Sequence, residues 1–173
     1  MVYNKSMNIF YVDSNPVLAA QAMCDKHVVK MILESAQLLC TTQHYFNFDP
    51  RPEQYQHIKF YKPTHLNHPC NIWIRKCLAN YNWLAQHALA LCNEYTYRYN
   101  KKHKSQDIIT LCSLFYPMGI DISMYQTQPA LAMPDEYKCD DPVQSYRRYY
   151  TEYKRYTIDM RWTKRQPPEW WKQ

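Results

Sequence analysis

A single glycine, Gly119, among 173 residues limits this chain more than any other feature. Glycine is the default residue for two-residue hairpin turns and for left-handed helix ends. A chain without it is poor in tight hairpins, which argues against a sheet built of short strands. It also excludes the glycine-rich phosphate loops, which need several glycines at fixed spacing. A nucleotide-binding α/β architecture is therefore not expected. Prolines, by contrast, number 11 and cluster between apolar runs, where they punctuate helices.

The periodicity agrees. "DSNP" supplies a helix start, with Ser14 or Asn15 as cap and Pro16 in the first turn. A helix over residues 16–43 is expected to follow, then a loop with four prolines, "FNFDPRPEQYQHIKFYKPTHLNHP". A second long helix is expected over residues 70–100, closed by "KKHK", whose charge complements a helix C-terminus. A short helix over 107–115 and another over 142–159, capped by Asp141, complete the set. Only "IFYV", residues 9–12, reads as a strand. The expectation is a mainly α, single compact domain over residues 1–173. It has three or more helices, long proline-rich loops and at most a short N-terminal strand. Residues 1–6 read as an extension ahead of a second Met, Met7.

Seven cysteines, an odd number, fall mostly at apolar helical positions and read as reduced core residues. Their spacing, with His65 and His68 nearby in "THLNHPC", does not match a paired zinc framework. No metal or cofactor is expected. No apolar run approaches the length of a membrane span. A soluble, intracellular and monomeric protein is the reading.

Two polar stripes stand out. In "CDKHVVKMILESAQ" a helical wheel puts His27, Lys30, Glu34 and Gln37 on one side. Opposite lie Ala22, Val29, Ile32, Leu33, Ala36, Leu39 and Cys40. In the second long helix Trp73, Asn80, His87 and Glu94 recur every seven residues, with Arg98 four further on. The surroundings there are apolar on nearly every side, so this stripe reads as buried and must be paired. The stripes could be a surface ion pair, a structural network in which they satisfy each other, or the wall of a pocket. On the last reading Glu34, Lys30 and His27 are catalytic. Gln37, Asn80, His87, Glu94, Arg98, His65 and His68 then contact substrate. A lysine partly desolvated in such a pocket can act as an amine nucleophile.

The formal net charge is +6, and residues 143–173 hold eight Lys/Arg against three Asp/Glu. This segment is also rich in Tyr and Trp. Cations neutralise phosphates and aromatic rings stack on opened bases, so the segment reads as a nucleic-acid footprint. Its candidate contacts are Arg147, Arg148, Lys154, Arg155, Lys164, Arg165, Trp170 and Trp171. Packing of Tyr146, Tyr150 and Tyr153 on the core accounts for part of the aromatic content.

The order of these features resembles the pyrimidine-dimer DNA glycosylases of phages, the endonuclease V type. Those proteins carry D-Q-H on an early helix, with a catalytic Glu seven residues after the His. Here "DKHVVKMILE" holds Asp25, His27 and Glu34 at that spacing. Their middle helix ends in a basic, aromatic run, here "EYTYRYN". They end near R-P-x-W-Y-K-Y, and this chain ends "KRQPPEWWKQ". The opening M-N-I-F-Y also resembles small uncharacterised phage proteins. The first resemblance implies double-stranded DNA as partner, excision of a damaged or modified pyrimidine, and strand nicking by β-elimination. In it an amine attacks the sugar C1′, Glu34 stabilises positive charge and moves protons, and His27 contacts DNA near the lesion. The family's amine is the α-amino group of its processed N-terminus, and Lys30 is the substitute available here. The family has Arg just before the Glu and three residues after it, where this chain has Leu33 and Gln37. A non-catalytic nucleic-acid-binding protein and a viral enzyme modifying DNA bases or nucleotides remain open beside it.

Overall fold

The computed structural model describes residues 7–47, 49 and 51–171; the extension expected over residues 1–6 lies outside them. Six α-helices are found among the described residues. They are α1 (Pro16–Ala22), α2 (Asp25–Tyr45), α3 (Pro69–Ile74), α4 (Leu78–Tyr99), α5 (Gln106–Leu114) and α6 (Pro142–Glu152). Helices α2 and α4 form the centre, with α1 and α5 packed against α4. The mainly helical expectation holds, and no helix is long and apolar enough to cross a membrane among the described residues.

The first long helix is instead two. Asn15 caps α1 as expected, its Oδ1 accepting the N–H groups of Val17 and Leu18 at 2.9 and 3.2 Å. The helix then stops, because Met23 and Cys24 are extended. The backbone groups freed at the break find partners far away in sequence, as a buried helix end requires. Arg98 donates to the carbonyls of Gln21 and Met23 at 3.1 and 2.9 Å. Trp162 donates to Ala22 O at 2.9 Å. Cys24 N–H donates to the Tyr150 hydroxyl at 2.9 Å, and Asp25 N–H to Arg161 O at 2.8 Å. No local signal in "AAQAMCDK" announces these caps.

The second rod also divides. Residues 75–77 separate α3 from α4, and two N–H donors at the start of α4 go to a loop. Leu78 N–H donates to Asp121 O at 2.7 Å, and Ala79 N–H to Ser123 O at 3.2 Å. With no glycine to end α4, Asn100 takes the left-handed position at φ 53°. The last helix, α6, starts on its Asp141 cap as expected but ends at Glu152, ahead of a 3₁₀ turn at Lys154–Tyr156.

The expected strand does not form. Residues 7–13 are irregular and nearly all buried, and no strand is present among the described residues. Asn8 explains why. Its Oδ1 accepts from both Ile9 N–H (2.8 Å) and Phe10 N–H (2.9 Å), and its Nδ2 donates to Ala132 O at 2.8 Å. These bonds occupy donors that a ladder would use. Phe10 turns to φ 43°, out of the strand region altogether.

The polar stripe of α4 is consumed in holding this fold. Asn80 brackets Thr127, donating to its Oγ1 at 2.8 Å and accepting its N–H at 3.0 Å. His87 Nδ1 donates to Pro16 O at 3.0 Å, and the Trp73 indole N–H to Thr127 O at 3.1 Å. Arg98 pairs with Glu94 (3.1 Å) and Asp25 (3.0 Å), with its side chain fully buried. Among the described residues the two stripes therefore do not satisfy each other; Asp25, at the tip of α2, joins the α4 stripe through Arg98. Removing one member of a buried ion network leaves the others uncompensated. Arg98→Ala is expected to lose about 3–5 kcal/mol of stability in urea unfolding. Lys102→Ala, which breaks an exposed pair with Asp107, is expected to change it by less than about 0.5 kcal/mol.

Candidate active site

Glu34 sits halfway along α2 on the side that the N-terminal segment covers. It is 5% exposed, a burial that a carboxylate tolerates only with partners. Both oxygens have one. Lys30 Nζ lies 3.1 Å from Oε1, and the Asn8 backbone N–H donates to Oε2 at 3.0 Å. These atoms line a cavity of about 220 Å³ whose other walls include Phe10, Tyr149, Tyr153 and Lys154. The cavity is thus built from four separate stretches: residues 7–10, the middle of α2, the loop at Ala132 and Pro134, and the end of α6 with the turn after it.

Burial pushes the Glu34 carboxyl above its ordinary value, against the pull of Lys30, the Asn8 amide and Lys154. Two cations thus flank a carboxyl that desolvation holds partly back from ionising. Lys154 lies over the rings of Tyr149, Phe10 and Tyr153, with Nζ 5.1, 5.6 and 5.7 Å from their centroids. Such a cavity offers a carboxyl, ammonium groups and aromatic faces to one small ligand. Those are the means of holding a ring, an anion and a developing positive charge together.

His27 stands behind this cavity. Phe10 stacks on its imidazole at 4.3 Å between centroids and forms the wall between the ring and the cavity. Its Nδ1 lies 2.9 Å from the Tyr150 hydroxyl. That hydroxyl accepts from Cys24 N–H, so its own proton is available to Nδ1 of a neutral imidazole. Burial, with Lys154 and Lys30 nearby, lowers the His27 pKa to about 3. The ring braces Phe10 and joins α2 to α6.

Gln37 lies one turn past Glu34, half-exposed and outside the cavity lining. His65 is exposed at φ 48°, and His68 caps α3, its Nδ1 accepting Cys70 N–H at 3.2 Å. Asn80, His87, Glu94 and Arg98 are all engaged as described above, and none lines the cavity. On the apolar side of the wheel, Val29 and Leu33 are exposed, because Asn8, Phe10 and Tyr150 cover Glu34 and His27 and leave that flank open.

The basic C-terminal segment is folded back on the chain. Arg165 donates to both Glu94 oxygens at 3.1 and 2.5 Å. Arg147 donates to Val12 O at 2.9 Å, Lys164 to Tyr97 O at 2.9 Å, and Arg148 to Glu136 O at 3.1 Å. Trp170 and Trp171 pack edge-on to Tyr150 at 5.8 and 6.1 Å, and Arg155 covers Trp171 at 4.6 Å. Only Lys154 of this group reaches the cavity. Asn8, Phe10, Tyr149 and Tyr153 were not among the residues expected there. The run "MNIFY" carried the signal for the first two, in a polar residue set inside a buried apolar stretch.

The sequence has a counterpart among known families. A family model described as pyrimidine dimer DNA glycosylase matches residues 7–107, more than half of the chain. The chain belongs to the pyrimidine dimer DNA glycosylase family. No curated protein and no solved structure matches it. The matched stretch contains Asn8, Phe10, Lys30 and Glu34, whereas Tyr149, Tyr153 and Lys154 lie beyond it.

The raised Glu34 carboxyl has a consequence for stability. Below pH 4.5, its ordinary value, the group is protonated in both folded and unfolded chains. As pH rises from there to the higher folded value, the unfolded chain ionises first, and stability falls relative to a neutral side chain. The stability of Glu34→Gln minus that of wild type is expected to rise across that window and be level above it. Denaturant titrations at stepped pH measure the difference, which cancels the contribution of His27.

Proposed function

We propose that this chain excises a damaged pyrimidine from duplex DNA by amine attack at the sugar C1′. The carrying observation is Glu34, held buried in the cavity with a nitrogen against each oxygen. Family membership supports the same chemistry. The attacking nitrogen forms a bond to C1′ while the glycosidic bond breaks. The base leaves with that electron pair and takes up a proton. Ring opening gives an imine, and loss of a C2′ proton expels the 3′ phosphate, nicking the strand. Ionised Glu34 stabilises the positive charge that develops at C1′ and then moves protons. Lys154, Tyr149 and Tyr153 hold the displaced nucleotide from the other side.

Two nitrogens beside Glu34 are the proposed nucleophiles. Lys30 Nζ is a primary amino group in the chain as it stands, 3.1 Å from Glu34, and attacks once it has given up its proton. The backbone nitrogen of Asn8 is the second, at 3.0 Å. A chain processed to begin at Asn8 would carry its α-amine there, as the endonuclease V type does at its own terminus. Borohydride added during reaction with dimer-containing duplex reduces the imine to a stable adduct. Peptide mapping of that adduct is expected to find it on Lys30 or on the residue 8 amine. No adduct and no nicking on any pyrimidine lesion would sink the mechanism.

Glu34→Gln is expected to lower excision roughly 10²–10⁴-fold while DNA binding persists. A non-catalytic DNA-binding protein would show no excision to lose. Because Glu34 must be ionised to act, the acid limb of kcat/KM is expected to have its midpoint above 4.5, the ordinary value of the group. A limb at or below that value would remove Glu34 from the role.

A further inference from the structure

The first half of α2 leaves one sector uncovered. Lys26, Val29, Lys30 and Leu33 are exposed on it, with Gln37 half-exposed at its end. Val29 and Leu33 each keep 41% of their surface, although neighbouring aliphatic residues of α2 are fully buried. The helix holds two carboxylates, Asp25 and Glu34. Asp25 accepts from Thr163 and Arg98, and Glu34 turns into the cavity. The sector therefore carries two ammonium groups, two aliphatic side chains and an amide, and no acid. An ordinary solvated helix face mixes charges of both signs and keeps large aliphatic groups off its crest.

Its position matters as much as its composition. Lys30 belongs to both surfaces, since it lines the cavity and its side chain is 57% exposed. Leu33 is one helical turn from Lys30, Val29 and Gln37 and next to Glu34 in sequence, so it stands on the flank beside the cavity mouth. A nucleotide that leaves a duplex for a pocket leaves a gap in the base stack, and unstacking costs a few kcal/mol. Proteins that distort duplexes offset this with apolar side chains inserted between base steps. Cations beside the wedge meet the phosphates on either side of the gap.

Resting on the glycosylase reading above, we propose that Leu33, with Val29 behind it, is such a wedge. It enters the stack of double-stranded DNA as the nucleotide passes to Glu34. Lys26 holds a phosphate flanking the opened step, and Lys30 joins it where the residue 8 amine is the nucleophile. The interface so defined runs along α2 from Lys26 to Gln37.

The test uses the full chain and two readouts. The first is excision of a pyrimidine dimer from duplex and from single-stranded DNA, which has no stack to open. Leu33→Ala is expected to slow excision about tenfold on duplex and by less than about twofold on single strands. Leu33→Met, which keeps an apolar side chain of similar size, is expected to restore the duplex rate. The second readout is the fluorescence of 2-aminopurine placed beside the dimer, which brightens when its neighbours unstack. Wild type is expected to brighten it on binding and Leu33→Ala not to. Equal loss on both substrates, or wild-type behaviour in both readouts, overturns the wedge; the latter leaves a protein partner for the sector. Brightening by wild type without excision of any lesion would instead sink the glycosylase reading and leave the wedge standing.

Discussion

The Arg98 guanidinium decides how this chain is arranged. It is fully buried, and its donors reach Glu94 on its own helix, Asp25 at the tip of α2, and the carbonyls of Gln21 and Met23. Arg is suited to this because its planar fork meets several acceptors at once. Without it the last carbonyls of α1 would be buried and unpaired, each a penalty of about 1–3 kcal/mol. With it, α1 ends after seven residues and α2 sets off as a separate helix. That separation lets α2 lie with Glu34 against residues 7–10.

Around Glu34 the logic is reversed. Arg98 gathers acceptors until its charge is met, but Glu34 receives a single donor on each oxygen and faces a cavity. Its carboxyl is raised, whereas Asp25, bonded to Thr163 and Arg98, is lowered despite desolvation. Two acids on one helix are thus set to different tasks by their surroundings. One stays ionised to clamp the fold, and the other is held closer to protonation, where it can pass protons.

Much of this was legible in the sequence. The proline-and-cap signals located the starts of α1 and α6, and the single glycine correctly argued for helices. The spacing from His27 to Glu34 led to the family. What could not be read is set by contacts distant along the chain. The break at Met23–Cys24 depends on Arg98, Tyr150 and Trp162, and the loss of the strand depends on the side chain of Asn8. The stripe of α4 was rightly read as buried and paired. Its partners are backbone groups of α1 and a loop together with the side chains of Thr127, Asp25 and Arg165, which no periodicity reveals. Likewise a helical wheel assumes one covered side, but α2 packs on α3, α4 and α5 while Asn8, Phe10 and Tyr150 cover Glu34 and His27. That leaves Val29 and Leu33 in water and His27 in the core.

The charge pattern is the instructive mismatch. Clustering of Arg and Lys after residue 143 pointed to a DNA contact there, yet Arg147, Lys164 and Arg165 are bonded to other parts of the chain. An internally bonded cation still adds to the long-range field, so the net +6 attracts a polyanion wherever those charges sit. Contact is a separate requirement, met by cations whose donors can turn to phosphate without first abandoning a buried carboxylate. Arg165, held by both oxygens of Glu94, does not meet it. Lys26 does: it is exposed on α2 and in no ion pair among the described residues. On the proposed reading, attraction and contact therefore fall to different parts of the molecule, and the second marks the DNA-facing side.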